Sequence, residues 1–235
     1  MTRKRTAVLI SGRGSNMTAL IDAAADPDYP AEIAGVVSDK ADAPGLGIAI
    51  ARGIPVKVVA RKDFADREAH DAAIDQALGE FGAELVALAG YMRRLGTPLV
   101  EKWQGRMINI HPALLPSFKG LDTHRRALDA GLRIHGCTVH FVTADVDDGP
   151  IIAQAAVPVM TDDDEAALSA RVLKAEHRIY PLALSLLAEG KVRMESGRAA
   201  FPGIVDETDN GGLVIASPRP VRDEIDLERL ARITP

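Results

Sequence analysis

The chain has 235 residues, of which 47% are hydrophobic and 26% charged, and its formal net charge is −5. That length and balance allow a real hydrophobic core, and the acidic excess argues against a general nucleic-acid binder, which needs a basic face. A single cysteine, Cys137, excludes internal disulfides and cysteine metal clusters, and no run approaches the roughly 20 apolar residues that span a bilayer.

The basic opening "MTRKRTAVLI" carries only the apolar run Ala7 to Ile10, too short for a secretion signal, so the expected setting is the cytoplasm. "TAVLIS" reads as a strand and "SNMTALIDAAAD" as a helix with Met17, Leu20, Ile21 and Ala24 on one face. "AEIAGVVSD" is a second strand, and "APGLGIAIARG" a short helix closed by Gly53. "IPVKVVA" follows as a strand and "DREAHDAAIDQALGEFG" as a helix; "ELVALAG" and "RMINIHP" are further strands. Strands alternating with helices of this length make βαβ units, hence an open, mostly parallel twisted sheet with helices on both faces.

The second half changes character. "HGCTVHFVT" and "GPIIAQAAVPV" are β-branched runs joined by "ADVDDGP" and should pair antiparallel. The longest helix should run through "TDDDEAALSARVLKAEHRIYPLALSLLAEG", opened by Thr161 and Asp164 in capping-box spacing. Leu168, Val172, Ala175, Ile179, Leu182 and Leu186 form its apolar stripe, Pro181 should bend or interrupt it, and Gly190 ends it. "KVRMESGRAAF" suggests one or two edge strands, and the charged tail after about "SPRP" a loosely held end. Residues 1–195 are expected to form a single domain and 196–235 an extension without an assigned role.

Four constellations carry possible chemistry. "SGRGSN", Ser11 to Asn16, turns from a strand into a helix, where free N–H groups and the helix dipole favour a phosphate. A dinucleotide-binding reading stays open, with Asp39 as the ribose acid, but Met17 stands where a third glycine belongs; so does a plain tight turn with Ser15 as N-cap. "AGYMRRL" lets a ligand approach the backbone after its glycine, while Arg93 and Arg94 alone read as a solvated loop.

In "MINIHP", Asn109 and His111 alternate and so share one face of a strand end. A carboxamide N–H stabilises a developing oxyanion, and an imidazole transfers a proton or donates a hydrogen bond. One carboxylate of "DVDDGP", brought beside His111, would raise its pKa and orient the ring; a solvated hairpin tip is the plainer alternative. His135 and His140 read as structural, and no metal site is expected, since no histidine pair has ligand spacing. No serine or cysteine has a nucleophile context, which leaves direct transfer between two bound molecules.

In this order, "LISGRGSN", "ALAGYMRRL", "INIHPALLPSFKGLDTH", "GCTVHFV", "DDGPIIAQAAVPV" and "AEHRIYP" closely resemble the folate-dependent phosphoribosylglycinamide formyltransferase family over about residues 6 to 195. The resemblance implies a Rossmann-like formyltransferase fold and transfer of a formyl group from 10-formyltetrahydrofolate to the amine of glycinamide ribonucleotide in purine biosynthesis. It implies Asn109, His111 and Asp147 as the catalytic trio, and Gly14, Ser15 and Asn16 as the loop for the substrate phosphate. Gly90 and Glu176 match residues that hold the ribonucleotide, Glu176 by its ribose hydroxyls. Arg67 matches a folate-side arginine, and Met92, Arg93, Arg94 and Leu95, with Asn109, match the pterin contact. The family usually carries an aliphatic residue where this chain has Arg94, which implies an outward side chain and binding through the backbone.

The same resemblance implies small-molecule substrates, no nucleic-acid or membrane partner, a monomer or homodimer, and no metal requirement. A formyltetrahydrofolate hydrolase, with water in place of the amine, is the alternative. A methionyl-tRNA formyltransferase would need a tRNA-binding domain and a basic face. A non-catalytic nucleotide module would have no use for Asn109, His111 and Asp147 meeting.

Overall fold

A computed structural model describes residues 2–203 and 215–216 of the chain. The first apolar run is strand β1 (Lys4–Ile10), followed by helix α1 (Ser15–Ala24), β2 (Ala31–Ser38) and α2 (Pro44–Ala51). Then come β3 (Val56–Val58), α3 (Arg67–Glu80), β4 (Leu85–Leu88), α4 (Thr97–Lys102) and β5 (Met107–His111). Helix α5 (Thr123–Asp129) precedes the antiparallel pair β6 (Ile134–Phe141) and β7 (Ile151–Pro158), and α6 (Glu165–Ala188) follows. The described chain closes with β8 (Arg193–Glu195), β9 (Arg198–Ala200) and β10 (Ile215–Ala216).

The main sheet has eight strands in the order β10-β7-β6-β5-β4-β1-β2-β3. From β3 to β5 every neighbour is parallel, and β6, β7 and β10 add antiparallel strands at the other end. The sheet order reverses at β1, which lies between β2 and β4. That reversal opens a crevice beyond the carboxyl ends of β1 and β4, the place where open α/β sheets gather ligands.

Period-two alternation divides the core between the two faces. Val8, Ile10, Ile108, Ile110, Val139 and the buried stripe of α6 pack with α1 on one side. Ala7, Leu9, Met107, Ile74, Leu78 and Trp103 pack under α3 and α4 on the other. Asn109 and His111 are in phase with Met107, and His140 alternates with Val139 and Phe141. These polar residues therefore share the α3–α4 face at the carboxyl edge of β5.

Several expectations are corrected. Helix α6 begins at Glu165, with Asp164 as its N-cap accepting from the N–H of Ala167 at 2.7 Å. Thr161 does not cap it, because Asp163 binds Arg171 and the N–H of Met160 and holds the preceding residues in a turn. The helix also runs without interruption through Pro181. Strands β8 and β9 form a hairpin of their own instead of extending the main sheet. The short helices α4 and α5 carry no sequence periodicity long enough to read. The tail after "SPRP" lies outside the described residues.

Candidate active site

The loop after β1 is shaped by glycine. Gly14 has φ 76° at the N-cap of α1, and a Cβ there would come 3.0 Å from the Cα of Gly45. Only glycine fits both conditions, so Gly14, and not Ser15, is the cap residue. No side chain caps α1, and its first turn has no acid. The N–H groups of its opening residues, Ser15 and Asn16 among them, therefore present positive potential to the crevice. Asn16 donates from Nδ2 to Glu176 Oε2 at 2.7 Å, joining α1 to α6. Both side chains are buried, and burial raises the Glu176 pKa although the Asn16 bond opposes this. The Oδ1 of Asn16 is left without a partner.

Across the crevice, the segment after β4 is tied down at four points. The Ser11 N–H donates to the Gly90 carbonyl at 3.2 Å, and the Met92 N–H to Ser11 Oγ at 2.8 Å. Arg93 Nε bonds the buried Asp39 at 3.0 Å, and the Gly96 N–H bonds Asp71 at 2.6 Å. Asp39 is thus engaged by Arg93, which removes the ground for reading it as a dinucleotide ribose acid. Gly90 has φ 72°, and nothing lies within 4 Å of where its Cβ would stand, so its backbone is open to a ligand. Met92, Arg93 and Arg94 are exposed and Leu95 is buried. Arg94 points outward, as expected, and reaches the Ala144 carbonyl at 3.4 Å. Arg67 sits in the exposed first turn of α3, and no hydrogen bond or ion pair among the described residues joins it to the other predicted site residues.

The structure brings Asn109, His111 and Asp147 together. His111 Nδ1 lies 3.3 Å from Asp147 Oδ2, and His111 Nε2 donates to the Phe118 carbonyl at 2.9 Å. A carbonyl only accepts, so Nε2 carries the proton, and a second proton on Nδ1 would be shared with Asp147. The Gly120 N–H holds the same Asp147 oxygen at 2.9 Å. Asp147 and Phe118, the two residues on either side of His111, both adopt left-handed backbone, with φ 52° and 57°. Such strain in non-glycine residues persists where the surroundings over-determine it.

His140 completes the cluster, and it is the residue that the sequence reading missed. Its Nδ1 donates to the Phe141 carbonyl at 2.8 Å, so Nε2 accepts from Asn109 Nδ2 at 3.2 Å. The same Nε2 lies 3.7 Å from Asp147 Oδ1. The antiparallel register of β5 and β6 sets Asn109 opposite His140, a pairing that strand alternation alone does not reveal.

Burial lowers the His111 pKa, and this outweighs the opposing effects of the Phe118 carbonyl and Asp147. The Asp147 carboxylate pulls upward, as expected, but desolvation of the ring is larger and the net shift is downward. For Asp147 burial pushes upward, yet the His140 imidazole, the Gly120 N–H and His111 together bring the pKa below its ordinary value. At neutral pH the cluster is an ionised carboxylate between two imidazoles, beside an amide with a second N–H to offer. That set can move one proton and stabilise one oxyanion. Among the described residues no group of three or more His, Cys, Asp or Glu could hold a metal ion.

A family model described as formyl transferase matches residues 4–184. The chain is 53% identical over 200 residues to the trifunctional purine biosynthetic protein adenosine-3 of Bos taurus, a match covering 85% of this chain and 20% of that protein. It is 43% identical to the phosphoribosylglycinamide formyltransferase of Haemophilus influenzae, covering 85% of this chain and 94% of that enzyme. The glycinamide ribonucleotide transformylase 1 structure from Symbiobacterium toebii aligns with TM-score 0.82 at 46% identity, covering 85% of this chain and 94% of that one. A formyltetrahydrofolate deformylase structure from Pseudomonas syringae aligns with TM-score 0.79 at 26% identity, covering 85% of this chain and 66% of that one. The chain belongs to the formyl transferase family, within its phosphoribosylglycinamide formyltransferase branch.

Proposed function

We propose that the protein transfers the formyl group of 10-formyltetrahydrofolate to the amine of glycinamide ribonucleotide, as a step of purine biosynthesis. The observation that carries this reading is the Asn109–His140–Asp147–His111 network at the carboxyl edge of β5, inside the span of the family match. The amine nitrogen attacks the formyl carbon, and the carbonyl oxygen becomes an oxyanion that Asn109 Nδ2 stabilises by a hydrogen bond and a protonated His111 by its charge. The bond to the folate nitrogen then breaks, and that nitrogen receives the proton lost by the amine. While ionised, Asp147 supports a protonated His111 as the oxyanion forms; it then takes up the amine's proton and passes it on, directly or through water.

Gly14, Ser15 and Asn16 hold the ribonucleotide phosphate at the uncapped end of α1, with Gly90 and Glu176 against the rest of that substrate. The 92–95 backbone receives the pterin, and Arg67 and Arg93 serve the folate side. We assign this work to a domain of residues 1–195, acting in the cytoplasm as a monomer or homodimer on small molecules, without nucleic acid, membrane or a metal in any step. Residues 196–235 are assigned as an extension, within which β9 pairs with β8 and β10 with β7 of the main sheet. The more distant likeness to a deformylase keeps the hydrolase as the rival.

Mixing the purified protein with 10-formyltetrahydrofolate, with and without glycinamide ribonucleotide, and following folate absorbance separates the two. Formyl loss only with the ribonucleotide supports the transferase; equal loss without it means a hydrolase.

A further inference from the structure

The segment Phe118–Leu121 touches both members of the central pair. The Phe118 carbonyl accepts from His111, and the Gly120 N–H donates to Asp147. Besides the ion pair of Lys119 with Asp148, what fixes this segment comes from α5. Arg126 Nη1 donates to the Lys119 carbonyl at 2.7 Å and to the Leu121 carbonyl at 3.2 Å. The Arg126 guanidinium also stands 5.2 Å from the centre of the Phe118 ring, whose other contact is edge-on to His135 at 5.9 Å. One guanidinium thus grips the segment at three of its four residues, Phe118, Lys119 and Leu121, through two carbonyls on Nη1 and one aromatic face.

We infer that Arg126 is a positioning residue, which holds the Phe118–Leu121 segment so that its carbonyl and its N–H register His111 against Asp147. The inference rests on the proposed transfer reaction for its kinetic consequence, and on geometry alone for its structural one. Without the grip, the left-handed Phe118 has less to hold it in a strained backbone, and the His111–Phe118 bond is the first to go. A misplaced imidazole loses transition-state stabilisation while both binding regions, which lie on other loops, remain intact.

The charged and titratable groups around His111 are Asp147 from the β6–β7 loop, His140 and His135 from β6, and His124 and Arg126 from α5. The structural consequence is read from the ring itself: the Phe118 carbonyl fixes the neutral His111 in the Nε2-protonated tautomer, a preference that the charge of Arg126 alone does not set.

The test uses the full chain, with Arg126→Met to keep the aliphatic stem and Arg126→Lys to keep the charge without the fork. We expect Arg126→Met to lower kcat about tenfold, the scale of one modest positioning loss, with KM for both substrates within about twofold. His111, assigned in the NMR spectrum against His111→Gln, should lose its preference for the Nε2-protonated tautomer, read from its ring nitrogen shifts, and Arg126→Lys should fall between the two in both readouts. Unchanged kcat, or an unchanged tautomer preference, overturns the clamp. If the parent chain fails to transfer formyl to the ribonucleotide, the proposed reaction fails, while the tautomer still decides the clamp.

Discussion

At the residue scale the candidate site is built from polar side chains that share one face of a strand end. Asn109 and His111 were legible because strand alternation is a short-range rule. Asp147 was legible only as one of several acids, and the family resemblance selected it. His140 was not legible, because its place depends on which residue of β5 it faces, a register set by the whole sheet. The Asn109 amide is expected to act on the transition state more than on binding. Asn109→Ala should therefore lower kcat about a hundredfold or more, the cost of one oxyanion donor, with substrate dissociation constants nearly unchanged. A variant that lost binding and turnover equally would make Asn109 a ground-state contact instead.

At the scale of elements, the loops after β1, β4 and β6 do the positioning, and tightly fitted glycines shape them. Gly149 shows the constraint most clearly, since a Cβ there would stand 1.7 Å from the Phe141 carbonyl oxygen. The loop that carries Asp147 folds back onto β6 through this contact. Gly149→Ala should cost about 1–3 kcal/mol, the range of overpacking at a fitted site, and should reduce turnover by displacing Asp147. Urea unfolding with a parallel assay checks both; an alanine variant as stable and active as the parent would mean that the loop adapts freely.

The βαβ run and the β6–β7 pair were readable from periodicity and turn residues, and α6 from its apolar stripe. Its first residue was not, because Asp163 and Asp164 are adjacent acids and only tertiary contact with Arg171 assigns them different tasks. The two-stranded hairpin of β8 and β9 could not be told from sheet edges, since strands of three residues carry no register signal.

At the scale of the molecule, the sheet order sets the glycine turn after β1 and the Asn109–His111–His140–Asp147 cluster at the edge of β5 along the same side of the sheet. The same packing buries histidines. Burial of His135, helped by the neighbouring His124, pushes its pKa down to about 4. Between its ordinary value of 6.5 and that point, the unfolded chain binds a proton that the folded chain refuses. This contribution to stability is therefore present at neutral pH and lost as pH falls through the window. His135→Phe, which keeps a ring against Phe118, should show a smaller drop in urea midpoint between pH 7 and 4.5 than the parent chain. Identical drops would mean that His135 carries none of the acid sensitivity.

The resemblance in the sequence indicated a transferase, and the match to nearly the whole length of the Haemophilus influenzae enzyme agrees with it. What the fold adds is a physical reason: β5, β6 and the loop beyond β6 deliver an amide, two imidazoles and a carboxylate to one point. The most direct test of that convergence compares the parent chain with Asp147→Asn, measuring the affinity of each substrate by calorimetry and the rate of formyl transfer in a single turnover. Both dissociation constants should stay within about threefold while the transfer rate falls by at least about a hundredfold, as expected for the loss of a proton-transfer group. A transfer rate that survives the substitution would contradict the account.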